Sequence, residues 1–316
     1  MSEHPAGKEP SIRVGSLEGE PSVTLVAGEL EATFLPALGL LGASLRHQGE
    51  ELLALVGGVA GYRDGHVTGL PLLAPWANRL AGRRYQAAGV EVDLEGLALH
   101  TDPGGLPIHG TLTAHPGWRL ELLAAEDDRA VLRASFDYGA WPELLAAFPF
   151  PHELVMGAAV AGAELAVATT LRPSGDRPVP VAFGWHPYLR LPGPPRSAWR
   201  LLLPEREHLE LDGRGLPTGI AGHEPAEADP VGGRTFDDLY ALGPERTLGL
   251  EAGGRRLLVH YGDGYRYAQV FAPPGGEFVC LEPMTASTNA LGAGTCAVVE
   301  PGGAFGARFT LQVEEA

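Results

Sequence analysis

The sequence predicts a predominantly antiparallel all-β protein made of many short strands. Glycine and proline are frequent, at 44 and 28 residues, and they are spread along the whole chain. They separate short segments that alternate between apolar and polar residues or are rich in β-forming residues. Few windows keep the i, i+3, i+4, i+7 pattern of an amphipathic helix for three turns, so helices are expected to be short. Both a sandwich and a barrel fit this pattern.

Six segments predict strands or strand pairs, and they cover residues 23–35, 83–94, 118–136, 152–171, 248–261 and 277–283. Several have the form of a β-hairpin, in which a tight turn joins two strands. The turns are expected near Asp127–Asp128 and at Gly253–Gly254. Residues 51–60 and 141–148 predict short helical turns, since they are rich in leucine and alanine.

The chain length is compatible with one large β domain. It has 316 residues, no repeat of fixed period, and no linker between regions of different composition. We therefore predict a single domain over residues 21–316. Residues 1–20 lack the apolar stretch of a secretory signal and predict a flexible leader.

Charge and composition disfavour several classes of partner. The formal net charge of −16 disfavours nucleic acid and anionic membrane surfaces, because both require a cationic footprint. Apolar runs are interrupted well before the ~18 residues of a membrane-spanning helix. Only Cys280 and Cys296 are present, which does not make a disulfide framework and favours the reducing cytoplasm.

Motifs of several common enzyme classes are missing from the sequence. It contains no P-loop, no G-x-G-x-x-G after a strand, no H-E-x-x-H, no paired C-x-x-C and no G-x-S-x-G. A nucleotide, zinc or serine-hydrolase function therefore has no motif in its favour. We expect a protein that needs neither a cofactor nor a metal.

Polar residues instead stand out inside apolar or tight-turn segments. They are Asn78 and Arg79 in LLAPWANRLAG, His109 in LPIHGTL, His186 in FGWHPYL, Asp237 and Asp238 in RTFDDLY, and Glu282 in VCLEPMT. Taken singly, most have a common structural explanation, such as a hydrogen-bonded core histidine or a turn aspartate. Glu282 is the hardest to explain in this way, because a buried carboxylate is costly unless it is paired or functional.

Taken together, these segments resemble the aldose 1-epimerase (galactose mutarotase) family. The Asn-Arg pair before a hairpin, the His-Gly element, the His-Pro-Tyr element, TFDDLY and CLEPMTASTNAL occur in the order of that family, from about residue 23 to the end. The resemblance implies a large antiparallel β-sandwich. It also implies a cofactor-free isomerase that interconverts the α and β anomers of an aldohexose.

The resemblance further implies a role for each matching position. Glu282 matches the general base and His186 the general acid. Arg79, His109 and Asp237 match substrate-binding positions, Asn78 accompanies Arg79, and either Asp237 or Asp238 is the ligand. We also expect Trp185 to bind substrate, since the aromatic rings of Trp76, Phe183 and Trp185 could stack on the apolar face of a pyranose.

Three alternatives remain open at this stage. A hexose-6-phosphate 1-epimerase would need a phosphate site, for which Arg83 and Arg84 are the nearest candidates. A sugar-binding protein without turnover would not need both Glu282 and His186. A polysaccharide lyase or hydrolase is possible, because fold does not determine function. We expect the partner to be a small-molecule monosaccharide and the protein to be a monomer or a weak homodimer.

Overall fold

Antiparallel strands make up most of the chain in the computed structural model, which describes residues 8–316. The strands up to residue 173 are β1 (Lys8–Leu17), β2 (Glu20–Gly28), β3 (Leu30–Leu35), β4 (Leu41–His47), β5 (Glu50–Glu51), β6 (Leu72–Leu73), β7 (Arg84–Ala87), β8 (Val90–Asp93), β9 (Arg119–Glu126), β10 (Arg129–Asp137), β11 (His152–Ala161) and β12 (Glu164–Pro173).

The remaining strands are β13 (Val179–Val181), β14 (Gly184–Trp185), β15 (Tyr188–Leu189), β16 (Arg200–Leu203), β17 (Arg206–Leu211), β18 (Pro217–Glu224), β19 (Glu227–Pro230), β20 (Phe236–Leu242), β21 (Thr247–Ala252), β22 (Arg255–Tyr261), β23 (Tyr267–Ala272), β24 (Val279–Met284), β25 (Ala297–Val299) and β26 (Phe305–Glu315). The α-helices are short, and they are α1 (Gly58–Arg63), α2 (Pro142–Ala147) and α3 (Ala290–Ala293).

Two large sheets form the body of the protein. The nine-stranded sheet has the order β19-β16-β21-β22-β26-β12-β11-β10-β9. The eight-stranded sheet has the order β18-β17-β20-β23-β24-β14-β6, with β15 also paired to β24. A five-stranded sheet, β1 to β5, contacts the nine-stranded sheet through β1, β2 and β3. The predicted large antiparallel β-sandwich is confirmed.

The two large sheets share one apolar core. In β11 and β12 buried residues alternate with less buried ones, as expected when one face of a strand packs inward. The Trp185 ring on β14 lies 5.9 Å from the Phe309 ring on β26, and its indole N–H donates to Thr169 on β12 at 3.1 Å. Trp185 thus connects the two sheets across the core.

Strand β24 differs from this alternating pattern, because all six of its residues are buried. Val279 and Leu281 belong to the core between the large sheets. Cys280, Glu282 and Met284 point to the opposite face, where other parts of the chain cover them. The outer face of this sheet is therefore enclosed where Glu282 lies.

Most of the predicted elements are present. The turns at Asp127–Asp128 and Gly253–Gly254 join β9 to β10 and β21 to β22. The predicted helical turn at 141–148 is α2, but the one at 51–60 is wrong over most of its length. Gly57 and Gly58 both have positive φ, so a helix can begin only at the end of that segment, as α1 does.

The prediction of a flexible leader over residues 1–20 is wrong for residues 8–20. Residues 8–17 form β1, an edge strand that pairs with β2, and residues 1–7 lie outside the described part of the chain. Side chains of Lys8 and Arg13 both pair with Glu31 on β3. Within residues 8–316, no helix has the length and apolar character needed to span a membrane.

We predict that Gly110→Ala lowers the free energy of unfolding by more than ~2 kcal/mol. Gly110 has a φ of +70°, and an added Cβ would lie 2.1 Å from the carbonyl oxygen of Ala74. Overpacking typically costs ~1–3 kcal/mol, and a left-handed backbone adds ~1–2 kcal/mol for a residue with a side chain.

The matched control is Gly89→Ala, since Gly89 also has positive φ but no atom within 4 Å of an added Cβ. Urea unfolding of both variants separates backbone strain from close packing. Equal losses in the two variants would contradict the packing argument.

Candidate active site

The register of β24 brings two ionisable side chains together. Strand β24 pairs with β14 before His186 and with β15 after it, in one continuous register. His186 lies in the break between those strands and therefore falls opposite Glu282, which in turn pairs with Gln269 on β23. Side chains opposite one another on neighbouring strands share a face, so Gln269, Glu282 and His186 form one row.

Glu282 and His186 are in direct contact within this row. The Glu282 Oε1 atom lies 3.2 Å from His186 Nε2, and their side chains are 2% and 6% exposed. The backbone of His186 is fixed by an N–H···O bond to Pro71, and its ring stacks on Tyr188 with the centroids 4.7 Å apart. A carboxyl and an imidazole are thus held together away from bulk solvent.

Two loops with left-handed backbone supply the next polar groups. Asn78 and His109 have φ values of 55° and 64°, a conformation that asparagine tolerates better than most residues. The backbone N–H of His109 donates to the carbonyl of Asn78 at 3.0 Å, and Arg79 pairs with Ile108. These contacts fix the two loops to each other and place the His109 ring 5.3 Å from the His186 ring.

Asp237 on β20 completes the polar side of the site. It accepts a hydrogen bond from Gln269 at 2.6 Å and from the Arg79 guanidinium at 3.4 Å. Asp238, its neighbour, lies 3.4 Å from His208 instead and does not line the same pocket. Of the two aspartates, Asp237 is the one positioned to contact a ligand beside Glu282.

These residues surround a pocket of about 770 Å³. Of the seven polar residues that stand out in the sequence, all but Asp238 line it, namely Asn78, Arg79, His109, His186, Asp237 and Glu282. Its apolar lining includes Val67, Ile108, Tyr188, Phe271 and Phe278. The volume and mixed lining are typical of a small-molecule site with a few polar groups that orient the ligand.

The predicted stacking of Trp185 on a ligand is wrong. Trp185 is 0% exposed and does not line the pocket. Consecutive strand residues point to opposite faces, so Trp185 enters the core while His186 faces the pocket. Phe183 and Trp76 are also almost fully buried and outside the pocket lining, and the aromatic rings that do line it are Tyr188, Phe271 and Phe278.

Sequence reasoning missed several pocket residues. Tyr188 could have been found, since it lies two residues after His186 and therefore faces the same side of the extended chain. Phe271 lies two residues after Gln269, which did not stand out in the sequence. Gln269, His100 and Asp102 carried no comparable signal. Their place in the pocket depends on strand pairing and loop contacts between distant parts of the chain.

Burial controls the protonation of the central pair. It raises the pKa of Glu282 well above its ordinary value, a shift that Asp237 increases and Arg79 opposes. It also lowers the pKa of His186, and it lowers that of His109, whose pKa is reduced further by the neighbouring His186. The pKa shifts of Glu282 and His186 both favour the uncharged form, in which the Glu282 carboxyl is protonated and the His186 imidazole is neutral.

Four buried polar atoms around the pocket make no hydrogen bond to any of residues 8–316. They are Glu282 Oε2, Gln269 Oε1, His186 Nδ1 and His109 Nδ1. Buried polar atoms in native proteins almost always have a partner, so four unpartnered atoms in one place require a reason. All four belong to residues that line the pocket, so its wall is polar beside Glu282 and His186.

The protein is a β-sandwich with a pocket that contains a buried carboxyl beside a buried imidazole, and comparison with known proteins gives its family. Residues 23–312 match the model of the aldose 1-epimerase family, and the chain belongs to that family. Among curated proteins, none matches the chain by sequence.

Solved structures share the fold at low sequence identity. A galactose mutarotase-like protein from Clostridium acetobutylicum has a TM-score of 0.87 at 18% identity, covering 98% of this chain and 99% of its own. A galactose 1-epimerase from Lactobacillus acidophilus has a TM-score of 0.77 at 14% identity, covering 97% and 100%. A putative aldose 1-epimerase from Escherichia coli has a TM-score of 0.73 at 17% identity, covering 97% and 100%.

We predict that Glu282→Gln gains stability relative to the wild type as pH rises. Because the pKa of Glu282 is raised on folding, the stability this group contributes is present below its unfolded pKa and is lost as pH rises through the folded pKa. Glutamine does not titrate, so the difference in Tm should grow in favour of the variant from about pH 4.5 upward.

Thermal unfolding between acidic and alkaline pH measures this difference. The control is Glu91→Gln, the same change at an exposed position of β8, for which the difference should stay flat. A Tm difference for Glu282→Gln that is independent of pH would contradict the raised pKa.

Proposed function

We propose that this protein interconverts the α and β anomers of a neutral aldose by opening and reclosing the sugar ring. The observation that carries the proposal is the direct contact of Glu282 and His186, 3.2 Å apart at the floor of the pocket. Anomer interconversion needs one group that takes a proton and one that gives a proton, at two oxygens bonded to the same carbon. An acid and a base in contact suit two such neighbouring oxygens.

In this proposal the pair works with a single proton. One member takes the proton of the C1 hydroxyl while the other protonates the ring oxygen, and the C1–O5 bond breaks. Rotation about C1–C2 and reclosure from the other face give the second anomer, with the two groups exchanging roles. A positioned acid or base typically contributes ~10²–10⁴-fold to the rate.

The state with the proton on Glu282 and the state with it on His186 hold the same number of protons. The first is the form that burial favours in the empty pocket. The second is the form implied by the family roles, with Glu282 as base and His186 as acid. One proton transfer across the 3.2 Å contact converts the first state into the second, so the opposite pKa shifts do not block either role.

The other pocket residues have roles in binding under this proposal. Arg79, Asn78 and His109 offer hydrogen-bonding groups to sugar hydroxyls, and Asp237 accepts from them. Phe271 and Phe278 provide an apolar surface for the less polar face of the ring. Names of structural relatives, such as the galactose 1-epimerase from Lactobacillus acidophilus, agree with a sugar substrate.

A neutral sugar fits the pocket better than a sugar phosphate. Among the described residues that line the pocket, Arg79 is the one arginine or lysine, and two carboxylates already pair with it. Arg83 donates to the carbonyls of Leu94 and Leu97, and Arg84 is exposed and pairs with Asp93. Neither Arg83 nor Arg84 lines the pocket, so both candidates for a phosphate site point elsewhere.

We predict that Glu282→Gln lowers kcat/KM for anomer interconversion by at least ~10²-fold, because the amide cannot exchange a proton with the sugar. His186→Asn should lower kcat more than it raises KM, since the imidazole acts on the proton in the transition state. Polarimetry of freshly dissolved α-D-glucose and α-D-galactose, corrected for the spontaneous rate, measures both effects.

Glu91→Gln is the control for the chemical change and should keep the wild-type rate. Near-wild-type turnover by a folded Glu282→Gln protein would contradict the assignment of Glu282 to proton transfer. Wild-type protein that binds sugars without accelerating the change in rotation would instead support the alternative of a binding protein.

A further inference from the structure

The Arg79 guanidinium is bound at all three of its nitrogens. Its Nε donates to Asp102 at 2.8 Å, Nη1 to Asn78 at 3.1 Å, and Nη2 to Asp237 at 3.4 Å. Its side chain is only 15% exposed. Asn78, Asp102 and Asp237, which all line the pocket, thus hold the guanidinium at three edges.

Asp102 is itself fixed in position. Its Oδ1 accepts the backbone N–H of Leu106 at 2.9 Å, and its own N–H donates to the Leu106 carbonyl. Burial acts to raise the pKa of Asp102, but hydrogen bonds from Leu106 and Arg79 outweigh it and hold the pKa below its ordinary value. Asp102 therefore remains a carboxylate, with one oxygen bound to a turn and the other to Arg79.

A glycine covers the guanidinium on another side. Gly215 lies in the turn between β17 and β18, and an added Cβ would come within 3.0 Å of Arg79 Cζ and Nη1. Asp212 closes this turn by accepting the N–H groups of Arg214 and Leu216. The guanidinium is thus confined by the protein and does not depend on substrate for its orientation.

The cluster of Arg79, Asp102 and Asp237 has a net negative charge. Arg79 contributes one positive charge, and Asp102 and Asp237 contribute one negative charge each. A sugar that enters the pocket meets donor hydrogens of Arg79 whose charge is already offset. Such a donor suits a neutral hydroxyl, whereas a carboxylate or phosphate on the sugar also meets the repulsion of Asp102 and Asp237.

We propose that Asp102 is a positioning and specificity-determining residue, which orients Arg79 and cancels its charge so that the site selects neutral aldoses over anionic ones. This inference rests on the proposed function. Asp102 acts by orienting Arg79 and through its own negative charge at the pocket, and its effect is expected in the ratio of two substrates. A ratio does not change with the folded fraction of a preparation, so a purely structural effect would not move it.

The test compares D-glucuronate with D-glucose, which differ by a carboxylate at C6. For the wild type, Asp102→Asn, Asp102→Glu and Asp93→Asn, kcat/KM is measured for both sugars by polarimetry or by NMR exchange between anomers. Asp93 is a matched control, because it also accepts a backbone N–H, from Glu95, and pairs with an arginine, but lies on the exposed surface.

Asp102→Asn should raise the glucuronate-to-glucose ratio of kcat/KM roughly tenfold, equivalent to ~1.4 kcal/mol. Asp102→Glu, which keeps the charge, and Asp93→Asn should stay close to the wild-type ratio. If Asp102→Asn does not fold, Asp102→Ser is used, because its hydroxyl can still accept the Leu106 N–H, and the same rise is expected.

Three results would overturn the proposal: an unchanged ratio in the variant without the charge, an equal rise in Asp93→Asn, or the same rise in Asp102→Glu. An unchanged ratio would mean that Asp102 has only a structural role. An equal rise in Asp93→Asn would mean that the net charge of the protein sets the ratio, and the same rise in Asp102→Glu would mean that the shape of the side chain does. A wild-type protein that accelerates neither sugar would instead contradict the proposed function, so the two failures are distinguishable.

Discussion

The cross-strand register of β24 is the constraint on which the site depends. It places Glu282 opposite His186, in the break between β14 and β15, and Gln269 on its other side. A shift of one residue would turn Glu282 into the core and Leu281 into the pocket. The apolar core behind the strand opposes such a shift, because it would remove Val279 and Leu281 from the core.

Burial of Glu282 and His186 is unfavourable for folding but useful for acid–base chemistry. It raises the pKa of the carboxyl and lowers that of the imidazole, so the Glu282 carboxyl keeps its proton while the His186 imidazole stays uncharged. Beside the pair, Arg79 is bound by Asp102, Asn78 and Asp237, so the protein itself sets the orientation of its guanidinium. The sandwich core thus holds this pair on the outer face of one of its sheets.

Much of this arrangement could be predicted from local patterns in the sequence. Turn residues and alternation predicted the hairpins, and the cost of a carboxylate within an apolar strand singled out Glu282, which is buried in the wall of the pocket. The errors had local causes too. Trp185 is predicted to face the ligand with its neighbour His186, although adjacent strand residues face opposite sides. Strand β1 is predicted as a flexible leader, because it is an exposed, polar edge strand held by backbone pairing and shows no hydrophobic pattern. Asp102 and Gln269 depend on contacts between distant segments, which no single stretch of sequence reveals.

The central claim is that Glu282 and His186 act as one unit sharing one proton. A double-mutant cycle tests it most directly, with kcat/KM for anomer interconversion measured in Glu282→Gln, His186→Asn and the protein carrying both changes. If the two groups work together, the second change should cost little once the first has been made, and the double variant should be about as slow as the slower single variant. Losses that multiply, as for two independent sites, would contradict the account.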